Sequence, residues 1–459
     1  MKVKFILPSL TEAKSPFWRP IKYSLFPPLG LATLAAYLDP NDEVVLQDQH
    51  IEEVILDDAP DLAVIQVYIT NAGRAYSMAR HYRAKGVFVA LGGLHVSSLP
   101  DEAEQFADSL FIGPAEQTFP AFLRDFREKR AAKRYVSGQG RTIQDQPSIR
   151  RDLIRREKYL VPNSLVISRG CPHHCDFCYK DAFYKGGKSF YTRRVDDILE
   201  EIDTLKGRHL YFLDDHLLGN PSLARELFQG MRGMGRVFQG AATVASILHG
   251  DLIEQAAEAG LRSLFVGFET LSQENLRQSN KKHNLQQNYE HAVKRLHDLG
   301  IMINGSFVFG LDNDGPDVFK RTVAWGVENS LATATYHILT PYPGTRLFAE
   351  MERAGRIMTR NWDLYDTRHV VYAAQGLGAD ELERGYWRAY KEFYTWKNIF
   401  RSSFSHDSLR FQMKHLFYTG GWKKFESAWN IIINLGGLKN MLPVLEMLLA
   451  EGKPRKGRK

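Results

Sequence analysis

The chain has 459 residues, 44% of them hydrophobic and 25% charged, which is too long for a single core and too apolar for a disordered protein. Three cysteines exclude a disulfide framework, and no stretch reaches the roughly 18 uninterrupted apolar residues that a spanning helix needs. The formal net charge is +7 without a recognisable nucleic-acid-binding motif, and MKVKFILPSL at the start holds an apolar run too short for a signal peptide, so a cytoplasmic protein of two or three domains is expected.

Residues 1–130 alternate short apolar runs with helical patterns. VKFIL, EVVLQ, LAVIQV, VFVALGG and SLFIG read as buried parallel strands, and LGLATLAAYL, AGRAYSMARHYRAKG and QTFPAFLRDFREK as the helices between them. That alternation predicts an α/β, doubly wound, Rossmann-like sheet whose ligands sit beyond the carboxyl ends of its strands. Residues 131–162 are polar and basic, lack an apolar period, and read as a linker.

A second series of strands begins at SLVISR (164–169) and continues with HLYFL (209–213), FQGAATVAS (238–246), SLFVGF (263–268), MINGSFVF (302–309) and TATYHIL (333–339). Between the first two, Val195, Ile198, Leu199, Ile202 and Leu205 share one helical face while Asp196, Glu200, Glu201 and Asp203 point away. Six such repeats over 163–348 predict a partial (β/α)6 barrel.

Residues 349–459 read as a helical extension rich in aromatics. Those aromatics suit packing on the barrel, and as a set they also suit an apolar pocket. AWNIIINLGGLKNMLPVLEMLLA and the basic tail KPRKGRK (453–459) fit a packed helix pair with a solvated end; they also fit peripheral attachment to an anionic membrane.

All three cysteines lie in SRGCPHHCDFCYK (168–180), spaced Cys171-x3-Cys175-x2-Cys178. A structural zinc site takes four protein ligands, and no nearby histidine pattern supplies the fourth; His173 and His174 read as exposed loop residues. Three thiolates suit a 4Fe–4S cluster with one iron open to a further ligand. The loop follows a predicted strand, so it projects from the barrel face where active sites gather.

This loop, with Phe177 before the last cysteine, resembles the cluster motif of the radical S-adenosylmethionine (SAM) superfamily. The resemblance implies that the open iron chelates SAM and that its reductive cleavage yields a 5′-deoxyadenosyl radical, with electrons from an external flavodoxin or ferredoxin. It further implies that Asp214 or Asp215 in FLDDHLLGN receives the SAM ammonium and that Glu269 in FVGFET binds its ribose or amino end. Ser306 and Gly310 in GSFVFG fall on the adenine side, while TPYPGT (340–345) suits a tight turn as well as a substrate contact.

A doubly wound domain before such a barrel resembles the cobalamin-binding branch of the superfamily, which contains hopanoid methylases and anaerobic magnesium-protoporphyrin cyclase. Three segments carry the likeness: Tyr68 and Thr70 in YIT; Gly92, Gly93 and His95 in LGGLHVSSLPDEA; and Gly113, Glu116 and Thr118 in IGPAEQTFP. The glycines would let backbone approach a bulky corrin. The Asp-x-His-x-x-Gly pattern of histidine-ligated cobalt is absent: Asp48-Gln49-His50-Ile51-Glu52-Glu53 lacks the glycine, so neither His50 nor His95 is the expected axial ligand.

The resemblance implies C-methylation of an unactivated carbon, with the two domains enclosing the substrate. An apolar lipid or polycyclic substrate would suit the aromatics and the tail. Radical cyclisation, oxidation or rearrangement without methyl transfer is the alternative. Sulfur insertion into transfer RNA lacks the extra cysteines it would need, and a cobalamin sensor would leave the cysteine loop unexplained.

Overall fold

The computed structural model describes residues 1–13 and 26–424, so the expectations for 428–450 and for the basic tail lie outside the described residues. The chain divides into two compact units, each assembled from three stretches. Residues 1–162, 177–192 and 341–366 form the first; 163–176, 193–340 and 367 onward form the second.

The first unit is built on β1 (Lys2–Leu7), β2 (Glu43–Asp48), β3 (Leu62–Gln66), β4 (Phe88–Gly92), β5 (Ser109–Ile112) and β6 (Arg134–Val136). All are parallel, in the order β2-β1-β3-β4-β5-β6, with Phe5 opposite Val64, Val64 opposite Ala90 and Leu91 opposite Leu110. Helix Ala72–Ala84 packs Ala75, Met78 and Tyr82 on one face against Ile65, Val89 and Leu91. Leu31, Ala35, Phe119 and Phe122 cover the other face against Phe5, Val64 and Phe111. Helices on both faces bury the sheet twice over, which is why its strands read as continuous apolar runs. β6 falls within the stretch expected as a linker. It is an edge strand, and its Arg134 pairs with Asp101 and Glu104, so it needs little apolar sequence to belong to the sheet.

The chain then forms β7 (Ser164–Leu165) and two short strands, β8 (Ser168–Gly170) and β9 (Phe190–Thr192), the last within the first unit. The second unit continues with β10 (His209–Phe212), β11 (Val237–Ala242), β12 (Leu261–Glu269), β13 (Met302–Phe309) and β14 (Thr333–Ile338). These pair in parallel as β14-β13-β12-β11-β10-β7, and no ladder joins β7 to β14, so the barrel is partial as expected. One core runs through it, from Ile198 and Ile202 under Phe212 to Phe307, Phe309 and Tyr336. β11 ends earlier than its apolar run suggests. The Thr243 side chain accepts from Ser246 N at 3.3 Å and caps a short helix, Val244–Leu248.

The aromatics after the barrel have a structural use. From helix Ala379–Phe393 and the residue that ends it, Tyr390 and Tyr394 reach the outer edge of β14. The Tyr394 hydroxyl accepts from Ala334 N and donates to Ala334 O, and Tyr390 does the same at Tyr336. They satisfy the backbone groups that an open barrel leaves unpaired. Among the described residues no helix is long and apolar enough to cross a membrane.

Candidate functional site

The cysteine loop begins directly after β8, on the carboxyl side of the barrel strands. Cys175 is buried, Cys171 and Cys178 are half-buried, and none is in a disulfide. Among the described residues no three His, Cys, Asp or Glu side chains converge tightly enough to hold a single metal ion. In a cube each thiolate bonds a different iron, so the three sulfurs need not converge on one point. Phe177 is half-buried beside the last cysteine.

Asp214 and Asp215 separate into two roles. Asp214 is 4% exposed, and its carboxylate accepts from Ile167 N at 3.2 Å and from both the N–H and the hydroxyl of Ser168 at 2.5 Å. Burial pushes its pKa up to about 6 although those hydrogen bonds pull it down. It braces the strand that launches the cysteine loop through the N–H groups of Ile167 and Ser168 and the Ser168 hydroxyl. Asp215 is exposed, so of the two it is the one accessible to a cation.

Glu269 ends β12 with φ 65°, a left-handed conformation unusual outside glycine, where the register with β13 shifts between Gly267 and Glu269. A bulge of this kind re-aims a side chain at a strand end. The carboxylate pairs with Lys281 Nζ at 2.7 Å, and both are largely buried. Gly267 makes room, since a Cβ there would lie 2.6 Å from Glu269 Oε1. Lys281 therefore belongs to the site with Glu269, and the polar string SNKKHN (279–284) holds no motif that announces it.

His173 is half-buried, not exposed as expected. Its ring stacks on His283 at 3.8 Å and on His216 at 5.6 Å. Burial, with Lys281 next, takes His283 down to about 2; burial and His173 take His216 to about 3. His174 alone fits the exposed reading. Ser306 is buried within β13. Gly310 donates to Asp314 and its carbonyl accepts from the Tyr372 hydroxyl, which makes it part of a packed turn. In TPYPGT, Thr345 caps helix Arg346–Arg353 through Phe348 N, the turn role that its composition suggests.

In the first unit the three cofactor-like segments follow β3, β4 and β5, neighbouring parallel strands, so they share one edge of the sheet. Tyr68 is exposed there and Thr70 is buried, with its carbonyl accepting from Thr11 Oγ1. Gly93 adopts φ 114°, and a Cβ on it would lie 2.8 Å from Val67 O. Gly113, at φ 79°, has more room, its Cβ position lying 3.0 Å from Ser137 and 3.4 Å from Arg141, while Gly92 backs onto Phe111. These glycines are demanded by the neighbouring backbone and side chains, which leave little or no room for a Cβ. Glu116 is buried, and the half-buried Thr118 donates to Ala115 O.

Neither histidine is poised for cobalt. His95 is 1% exposed, its Nε2 lies 2.9 Å from Glu102 and its Nδ1 is enclosed by protein. Burial alone would raise the pKa of Glu102, but hydrogen bonds from His95, Trp362 and Tyr76 hold it low. The His95 ring thus locks its own loop. His50 is committed likewise, with Nδ1 at 2.7 Å from Asp48 and Nε2 accepting from Leu10 N.

Comparison with known proteins bears on the family and the fold. Residues 165–325 match the radical SAM superfamily model. A bacteriochlorophyllide d C-12(1)-methyltransferase of Chlorobaculum tepidum is 30% identical over 379 residues, 80% of this chain and 82% of that relative. A hopanoid C-2 methylase of Rhodopseudomonas palustris is 25% identical over 73% of this chain and 66% of its own length. The fold is that of the cobalamin-dependent SAM radical enzyme OxsB, solved with aqua-cobalamin bound: TM-score 0.66 at 16% identity, over 99% of this chain and 77% of that one.

Proposed function

This chain belongs to the radical SAM superfamily, in its cobalamin-dependent methyltransferase branch, and from that premise we propose that it methylates an unactivated carbon of an apolar, polycyclic substrate. It is an enzyme, and the cofactors of that branch are a 4Fe–4S cluster, SAM and cobalamin. When bound, the group at the cysteines supplies a radical able to take hydrogen from an inert carbon, and the corrin supplies the methyl group.

The chain's own residues have distinct tasks in this reading. Cys171, Cys175 and Cys178 would present thiolates to three irons. Asp214, by gripping Ile167 and Ser168, holds the strand from which they project. Glu269 and Lys281 offer an anion and a cation side by side, a match for the amino and carboxylate groups of an amino acid, with Asp215 as a further carboxylate. The edge after β3, β4 and β5, with Tyr68, Gly93 and Gly113, would carry the corrin. Buried side chains around each loop exclude water, which protects a radical from quenching.

The observation that carries the substrate class is the likeness to relatives named for a bacteriochlorophyllide and a hopanoid, both apolar and polycyclic. The aromatics after the barrel add less than their number suggests, since Tyr390 and Tyr394 are occupied with β14. The test is anaerobic reconstitution with iron, sulfide, cobalamin and SAM, combined with pigment and lipid profiling of a deletion strain. A product heavier by one methylene supports methylation; loss of hydrogens alone would transfer the assignment to cyclisation or oxidation.

A further inference from the structure

The turn 279–284, which connects the helix after β12 to the next element, touches the cysteine loop at three points. Asp176 N donates to Ser279 O at 3.2 Å, Asn280 Nδ2 donates to the His174 carbonyl at 2.6 Å, and the His283 ring lies on His173 at 3.8 Å with 18° between planes. The turn is itself rigidly mounted. Asn284, fully buried, donates to the carbonyls of Gly267 and Phe268 at the end of β12, and Asn275 is tied to Asp314 at 2.7 Å. Lys281 adds the pair with Glu269.

A loop between cysteines has no regular structure of its own. His173, His174 and Asp176 lie on either side of Cys175, so whatever fixes them fixes the spacing of the thiols. Ring stacking and a backbone hydrogen bond fix direction as well as distance. Asn280 sits at φ 55°, the left-handed region that asparagine tolerates best after glycine, and this backbone turn aims its amide at His174.

We propose that Asn280 and His283 form a clamp that positions the cysteine loop for cluster retention. They are positioning residues and contact no iron. The proposal rests on the cluster reading above, and the experiment separates the two. The full chain is reconstituted anaerobically with iron and sulfide, and iron release to a ferrous chelator is timed for the unaltered protein and for N280G, N280D, H283F and H283A.

Asn280→Gly keeps the left-handed backbone and loses the amide; Asn280→Asp keeps the size and cannot donate. Both should release iron roughly five- to tenfold faster, the factor that one hydrogen bond of ordinary strength commands. His283→Ala should be faster too, while His283→Phe, which retains a flat ring, should stay near the unaltered rate. Melting of the metal-free chains should be alike, and the reduced cluster's electron paramagnetic resonance signal should broaden in the three fast variants. Release at the unaltered rate in all four, or equal acceleration in H283F and H283A, would overturn the clamp. An unaltered protein that takes up no iron would instead overturn the cluster reading.

Discussion

The two parallel sheets hold the loops at their strand ends by different balances of backbone and side chain. After β3, β4 and β5 of the first unit the loops turn on glycine, Gly93 at φ 114° with a Cβ position 2.8 Å from Val67 O and Gly113 at φ 79°, with His95 on Glu102 as the side-chain tie. After β8 and β12 of the second unit the loops are shaped by side chains, through Asp214 on Ser168, Asn280 on His174 and Lys281 on Glu269. In the proposed reading, loops that turn on glycine suit a wide flat ligand. A small cluster and a flexible amino acid need fixed charges and directions.

The sharpest break comes from Cys175→Ala, which should leave iron at background and abolish product, with cobalamin uptake by the first unit unchanged; iron analysis beside the corrin absorbance checks both. Next is Gly93→Ala. A Cβ 2.8 Å from Val67 O at φ 114° should cost about 1–3 kcal/mol in denaturant titration and reduce corrin uptake while sparing iron. Asp214→Asn exchanges a carboxylate that accepts three donors for an amide that turns two hydrogens toward them. It should cost about 1–3 kcal/mol and lower iron content while corrin uptake holds.

The smallest effect is set by pH. In the second unit burial lowers His209 and His406 to about 4 and His297 to about 3, and takes His415 well below its ordinary value. These imidazoles stay neutral in the native state, while the unfolded chain protonates near 6.5. Their contribution is complete above about pH 6.5 and drains away as pH falls toward 4 and 3. Asp214 and Asp314, raised by burial to about 6, act in the opposite sense between pH 6 and 4 but are fewer. The urea midpoint should fall from pH 7.5 to pH 5, and His415→Phe should flatten that slope; a first unit that unfolded earlier on acidification would contradict this.

Much of this was legible in the residues. Eleven expected apolar runs became strands, most of them because strands buried on both faces must be apolar throughout, whereas β6, an edge strand held by the Arg134 ion pairs, had no such signature. The cysteine triplet stood out because all three cysteines of the chain fall within eight positions on one loop. Asn280 and His283 did not, because they lie about a hundred positions from that loop and touch it only through the turn after β12. The division of labour between Asp214 and Asp215 was equally hidden, since adjacent residues at a strand end face opposite ways.

The linear order of residues therefore determined the two parallel sheets, the three-thiol loop and the glycine positions, since periodicity, ligand spacing and backbone conformation are local properties written residue by residue. Tertiary structure decided which carboxylate braces and which faces solvent, which histidines stack and which turn grips the cysteines. Those outcomes depend on burial and on distances between segments remote in the chain, and only the folded packing sets them.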